Sequence, residues 1–254
     1  MKNGLDIAMT HPSLAASIIF ILIRSIDSCA SPAPLNLYYY DRPPFHFIAS
    51  DGSVSGSVAT ITEKILNQAN VSYIWKQAPA LRILSILRQD HDYSCSPGWY
   101  KTSEREKFYN FSLPIYVGKP LVAVTRADFK APETITAANL FSLPGINIVY
   151  KKGMVIGDYL SDIISRVPTD QVHIVTLEEV GKLKMIQAGH FDLTLLTEEE
   201  ADYFKNNLTI FFNLKIIKMP DVPGGDKRFI LCSKAVPAAT MEKINATIKR
   251  LKLP

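Results

Sequence analysis

This chain of 254 residues has no apolar run long enough to span a bilayer, no low-complexity tract and no block of like charge. Those absences argue against a membrane-spanning helix in the sequence and against intrinsic disorder, the more so because 47% of the residues are hydrophobic. The net charge is only +4, with lysines and arginines scattered among acids, so the electrostatic footprint of a nucleic-acid binder is missing. Three cysteines and five histidines are too dispersed for a metal site: there is no C-x-x-C and no pair of histidines one helical turn apart. Gly224-Gly225 lacks the strand-loop-helix context of a phosphate loop, and no G-x-S-x-G elbow occurs. No metal and no cofactor are expected.

What is present begins with an export signal. Residues 1–30 read as a signal peptide, because the run Leu14 to Ile23 is apolar but short and Ser28-Cys29-Ala30 offers small residues for cleavage. Arg24 and Asp27 fit an export signal poorly. Cys29 raises lipid attachment as an alternative, but Ile26-Asp27-Ser28 matches that pattern poorly, so simple cleavage is favoured. Cys95 and Cys232 then remain. In an oxidising compartment they can form a disulfide, and the alternative, two buried small hydrophobes, is equally open at this point.

Strand and helix patterns alternate along the rest. Extended runs are expected at Leu35 to Tyr40, Val71 to Lys76, Asp92 to Ser96, Leu121 to Thr125, Ile146 to Tyr150, Val172 to Val175, Asp192 to Leu196, Ile210 to Met219 and Phe229 to Ser233. Helical stripes lie between them: Val58, Ile61, Ile65 and Ala69; Leu81, Leu84 and Leu87; Ile156 to Arg166; Leu177 to Ala188; and Met241, Ile244, Ile248 and Leu251. Repeated strand-helix units predict an α/β architecture of two mostly parallel sheets flanked by helices. The Pro-flanked break near Tyr116 to Thr125 divides it into two lobes, residues 31–120 with 218–254 and residues 121–217, joined by two crossover strands. Ligands of such folds sit beyond the carboxyl ends of strands.

One stretch narrows the reading. Thr102-Ser103-Glu104-Arg105, running on to Phe111-Ser112-Leu113-Pro114-Ile115-Tyr116, resembles the T-x-E-R…F-S-x-P-Y signature of bacterial extracellular solute-binding proteins of family 3, the polar amino acid type. Tyr40-Asp41-Arg42-Pro43-Pro44-Phe45 and Asp51-Gly52-Ser53-Val54-Ser55-Gly56 resemble the family's opening. Ala78-Pro79-Ala80-Leu81-Arg82 resembles its P-W-x-R helix start without the tryptophan, and Gly189-His190-Phe191-Asp192 its G-x-x-D strand entry. The similarity runs from about Leu35 to the C-terminus.

The resemblance implies a two-lobed, type II periplasmic-binding-protein fold and an exported, periplasmic, monomeric receptor. Its partners would be a small amino-acid-like or carboxylate ligand and an ABC-type membrane permease, with no nucleic acid. Arg105 inherits the family's grip on a ligand carboxylate. Arg82 and Arg42 are further cationic candidates, and Tyr40, Phe45, Trp99 and Tyr100 are aromatic wall candidates. In the second lobe Gly153-Met154-Val155 replaces the family's hydroxyl pair, and Thr197 stands where an acid would meet an α-ammonium, with Glu198 next to it. Those losses favour an anionic ligand without an essential amine. Two rivals share the fold: an enzyme like cyclohexadienyl dehydratase, for which Asp41 or Glu198 would be the acid, and a stand-alone sensor module.

Overall fold

A computed structural model describes Met1, residues 33–89 and residues 93–254. The signal-peptide and lipid-attachment expectations fall outside those residues, as does Asp92, the expected start of one strand.

The chain runs β1 (Leu35–Tyr39), β2 (Phe47–Ile48), β3 (Val54–Ser55), α1 (Ser57–Gln68), β4 (Tyr73–Gln77), α2 (Ala80–Arg88), β5 (Ser94–Tyr100), α3 (Ser103–Glu106) and β6 (Asn110–Val117). It continues through β7 (Leu121–Arg126), α4 (Ala137–Phe141), β8 (Ile148–Lys151), α5 (Gly157–Ile164), β9 (Val172–Val175), α6 (Glu179–Gln187), β10 (Leu193–Thr197) and α7 (Glu198–Asn207). A 3-10 turn at Thr209–Asn213 leads into β11 (Leu214–Ile217), β12 (Lys227–Cys232) and α8 (Ala238–Arg250).

Two five-stranded sheets result, ordered β4-β1-β5-β12-β6 and β11-β7-β10-β8-β9. Each is mixed rather than mostly parallel. The β1–β4, β1–β5, β8–β9 and β8–β10 pairs are parallel, while β12 and β7 run antiparallel to both of their neighbours. The reason is the route of the chain: strands that return from the other sheet enter against the direction of the strand-helix-strand units. Both sheets are covered on two faces. Leu37, Ile65, Ile230 and Ile244 pack between the first sheet, α1 and α8, and Ile83, Leu87 and Leu231 between that sheet and α2. On the second sheet, Leu140, Leu160 and Leu193 fill the α4–α5 side, and Leu183, Leu196 and Phe204 the α6–α7 side.

Gly56 shows why the D-G-x-x-x-G turn needs its last glycine. It has φ of 119°, and a Cβ there would lie 2.4 Å from the Phe45 carbonyl oxygen. The turn thereby seats α1 against the Pro44–Phe45 loop, whose carbonyls accept from Ser57 and Val58. Cys95 and Cys232 are opposite one another on β5 and β12 and form a disulfide. Of the two readings open in the sequence, the bonded one holds.

Several elements depart from expectation. The extended run expected at Ile210 to Met219 begins as the 3-10 turn and becomes β11 only at Leu214. On α2 the core-facing residues are Ile83 and Leu87, whereas Leu81 is largely exposed and turned to the cleft. Helices α4 and α7 and strands β2, β3 and β6 lie outside the expected elements. Among the described residues no helix is long and apolar enough to cross a membrane.

Candidate functional site

The carboxyl ends of the parallel strands of both sheets converge on one cleft, with an empty volume of ≈ 650 Å³ that is partly open to solvent. Tyr40 and Arg42 follow β1, Leu81 and Leu84 lie on α2 beyond β4, and Arg105 lies beyond β5. From the second sheet come Lys151 to Val155 after β8, Glu179 after β9 and Glu200 after β10. Apolar and aromatic walls alternate with charged side chains, among them Arg42, Arg105, Lys151, Lys152, Glu179 and Glu200.

Arg105 sits on the short helix α3, whose N-cap Thr102 accepts a hydrogen bond from the Arg105 backbone N–H at 3.2 Å. Its side chain turns back over β5. Nη1 donates to the Tyr100 carbonyl at 2.9 Å, and the guanidinium carbon stands 5.1 Å from the Trp99 ring centroid. Burial pushes its pKa down, opposed by Tyr40, Tyr109 and Glu104. Among the described residues no carboxylate forms an ion pair with it, so several of its donors remain for a ligand. Trp99 divides its indole between core and cleft, with Nε1 donating to Ser96 Oγ at 2.7 Å. Tyr100 lies under Arg228, whose guanidinium carbon is 4.5 Å from its ring, and burial raises the pKa of its hydroxyl.

Arg42 meets a carboxylate from the opposite sheet. Its Nε donates to Glu200 Oε1 at 2.6 Å and its Nη2 to Oε2 at 3.1 Å, while Nη1 donates to the Tyr40 hydroxyl at 3.1 Å. Glu200 is 1% exposed. Burial alone would raise its pKa, but Arg42, Arg228 and the Thr197 N–H outweigh that and hold the carboxyl down at about 2. Behind Tyr40, His46 is 1% exposed, and its Nδ1 donates to the Tyr40 carbonyl at 2.6 Å. Burial, with help from Arg42, lowers its pKa to about 3. Two further ion pairs border the cleft: Lys151 with Glu178, and Glu179 with the fully buried Lys182 at 2.5 Å.

The profile of the bacterial extracellular solute-binding proteins, family 3, matches residues 37–253. The chain belongs to that family. Solved structures agree on the fold, a type II periplasmic-binding-protein architecture. An ancestral arginine-binding protein bound to arginine aligns with a TM-score of 0.68 at 18% identity, over 86% of this chain and 92% of that one. The substrate-binding protein of an amino acid ABC transporter aligns at 0.66 and 20%, over 86% and 92%. A histidine kinase sensor domain similar to periplasmic binding proteins aligns at 0.70 and 16%, over 87% and 90%. No curated protein matches the sequence.

Of the residues singled out from the sequence, Arg105, Arg42, Tyr40, Trp99 and Tyr100 line the cleft. Three do not. Arg82 is exposed on α2 and is not among the residues lining the cleft. Phe45 is buried in the core under Arg42 and Arg228, 5.3 and 4.3 Å from its ring centroid. Thr197 is 1% exposed, and its hydroxyl donates to Glu200 Oε2 at 2.8 Å within a capping box at the start of α7. The acid candidates for an elimination enzyme are also placed. Glu198 pairs with Lys218 and its pKa is lowered, the wrong direction for a general acid, and Asp41 lies in an adjoining depression with its pKa raised by burial and by Glu178.

Sequence reading missed Glu200 and the Glu179–Lys182 pair. For Glu200 a signal exists: Thr197-x-x-Glu200 is a capping-box pattern, and it predicts a helix whose third residue folds back to the N-cap. Nothing local marks Glu179. Among the described residues no group of three His, Cys, Asp or Glu is placed to hold a metal ion.

Proposed function

We propose that this family member is an exported receptor that captures a small carboxylate-bearing ligand between its two lobes and closes on it. The observation that carries the proposal is Arg105, a cation without a carboxylate partner among the described residues, set in an aromatic-walled cleft whose acids are already paired. A guanidinium there can grip a carboxylate through two parallel hydrogen bonds. Met154 and Val155, in place of hydroxyl side chains, favour a ligand with an apolar body. The signal-peptide reading of residues 1–30 supports a periplasmic location, and the likeness to an ABC transporter's binding protein supports delivery to a membrane permease. Binding, rather than turnover, is the reading favoured by the family and by the depressed pKa of Glu198.

The test is a thermal-shift screen of acetate, benzoate, succinate and amino acids against the protein and Arg105→Ala. A ligand at about 100 times its Kd adds about 2.7 kcal/mol of stability. Loss of one charge-assisted contact should weaken carboxylate binding by roughly ten- to a hundredfold in Arg105→Ala. Carboxylate binding unchanged in Arg105→Ala would sink the site assignment.

A second reading is a sensor module, favoured by the likeness to a histidine kinase sensor domain. Uptake of the identified ligand by cells with and without the gene separates the two: transport requires the gene, sensing does not.

A further inference from the structure

The charge arithmetic of the cleft assigns a role to Arg42 that its exposure and sequence position do not reveal. Two carboxylates line the cleft, and each is occupied by the protein itself. Glu179 faces Lys182, a lysine with no solvent exposure. Glu200 accepts from Arg42 Nε through Oε1, and from Arg42 Nη2, Thr197 N–H and Thr197 Oγ through Oε2, at 2.6 to 3.1 Å. Each carboxylate oxygen offers about two lone-pair sites, so Oε2 is saturated and Oε1, already bonded to Arg42 Nε, keeps at most one. Arg42, in turn, is held in place by the Tyr40 hydroxyl and by packing over Phe45.

We propose that Arg42 is the cleft's built-in counter-ion: by filling Glu200 it excludes the ammonium or guanidinium group of a ligand and restricts the site to anions. The inference rests on the cleft being the ligand site and deepens that reading. A cationic ligand group would have to displace Arg42, leaving a buried guanidinium unpaired, which costs more than a new ion pair returns. Arg42 is thus a specificity-determining residue that touches no ligand in order to act. Its removal should convert the same cleft into a cation site, since Glu200 would then be a buried carboxylate beside an opening of guanidinium shape, flanked by Tyr40 and Tyr100.

Calorimetric titration with two probes tests this. Methylguanidinium should not bind the unaltered protein, should bind Arg42→Ala at least tenfold more tightly, and should lose that gain in Arg42→Ala/Glu200→Gln. Succinate reports the converse. In Glu200→Gln the freed Arg42 joins Arg105 and the cleft-lining Lys152 as a further cation without a carboxylate partner among the described residues, and succinate affinity should rise at least tenfold. A folded Arg42→Ala that binds methylguanidinium no better than the unaltered protein overturns the proposal. If Arg42→Ala does not fold, Glu200→Gln decides alone, and an unchanged succinate affinity overturns it. Arg105-dependent carboxylate binding without any gain in these variants would defeat this inference and leave the proposed function intact. Methylguanidinium binding to Arg42→Ala, with no variant binding carboxylates, would do the reverse.

Discussion

Cys95 and Cys232 face each other across β5 and β12, and the bond between them closes a loop with a sequence separation of 137 that contains the whole second sheet. Long loops lose the most unfolded-state entropy on cross-linking. Cys95→Ser/Cys232→Ser should therefore lower unfolding stability by roughly 2–4 kcal/mol. Urea titrations of the oxidised protein and the double variant measure it. Equal midpoints would show that strand pairing alone holds this junction.

His46 predicts a dependence on mild acid. Its folded-state pKa of about 3 lies below the value near 6.5 of an unfolded histidine, so the unfolded chain binds the proton first. Stability is complete above about pH 6.5 and falls as pH drops toward 3. At pH 5 the loss from this residue should be about 2 kcal/mol. Unfolding free energies at pH 7 and pH 5, compared with His46→Gln, check it. The variant should show a flatter profile over that interval, and an identical slope would remove His46 as the cause.

Two adjacent glycines make a matched control pair. A Cβ on Gly225 would fall 1.8 Å from the Gly118 carbonyl oxygen, a backbone atom of the other crossover segment, whereas a Cβ on Gly224 would meet nothing within 4 Å. Gly225→Ala should cost about 2 kcal/mol or more, while Gly224→Ala should remain within about 0.5 kcal/mol of the unaltered protein. Melting curves of the two variants suffice. Similar losses in both would contradict the close approach.

Thr197→Ala removes one half of the α7 capping box, the hydroxyl that accepts from the Glu200 N–H, together with that hydroxyl's own donation to Glu200; the bond from the residue-197 N–H to Glu200 remains. A loss of about 1 kcal/mol is expected, with Thr197→Ser largely restoring it. Denaturant midpoints of the three proteins decide. A cost shared equally by serine and alanine would point to the lost methyl group instead of the cap.

Much of the fold was legible because local patterns and tertiary packing agree. The stripe Met241, Ile244 and Ile248 is the buried face of α8, and Leu35 to Tyr39 alternates between fully buried and half-buried positions, Tyr38 packing toward the α2 side. The mixed direction of the sheets was not legible, since strand direction follows from which sheet the chain enters, a long-range property. The leucines of α2 misled for a related reason: a helix that borders a cleft has two apolar faces, and Leu81 belongs to the cleft while Leu87 belongs to the core.

The site followed the same division. Arg105, Trp99 and Tyr100 lie within one short segment and came to light together. Arg42 was visible, but its partner 158 residues away was not, so an arginine already engaged looked available. Phe45 illustrates the limit for aromatics, whose chemistry suits core and cleft alike; here two arginines stack over it and the core takes it.

The two crossover segments travel side by side, with the Gly118 N–H donating to the Asp226 carbonyl at 3.4 Å. A pair of tethers laid flat bends readily about one axis and resists torsion about the others. In the closure proposed above, such tethers would favour motion about a single angle. One dye on each lobe would then translate occupancy into a single, monotonic optical signal, whatever the ligand proves to be.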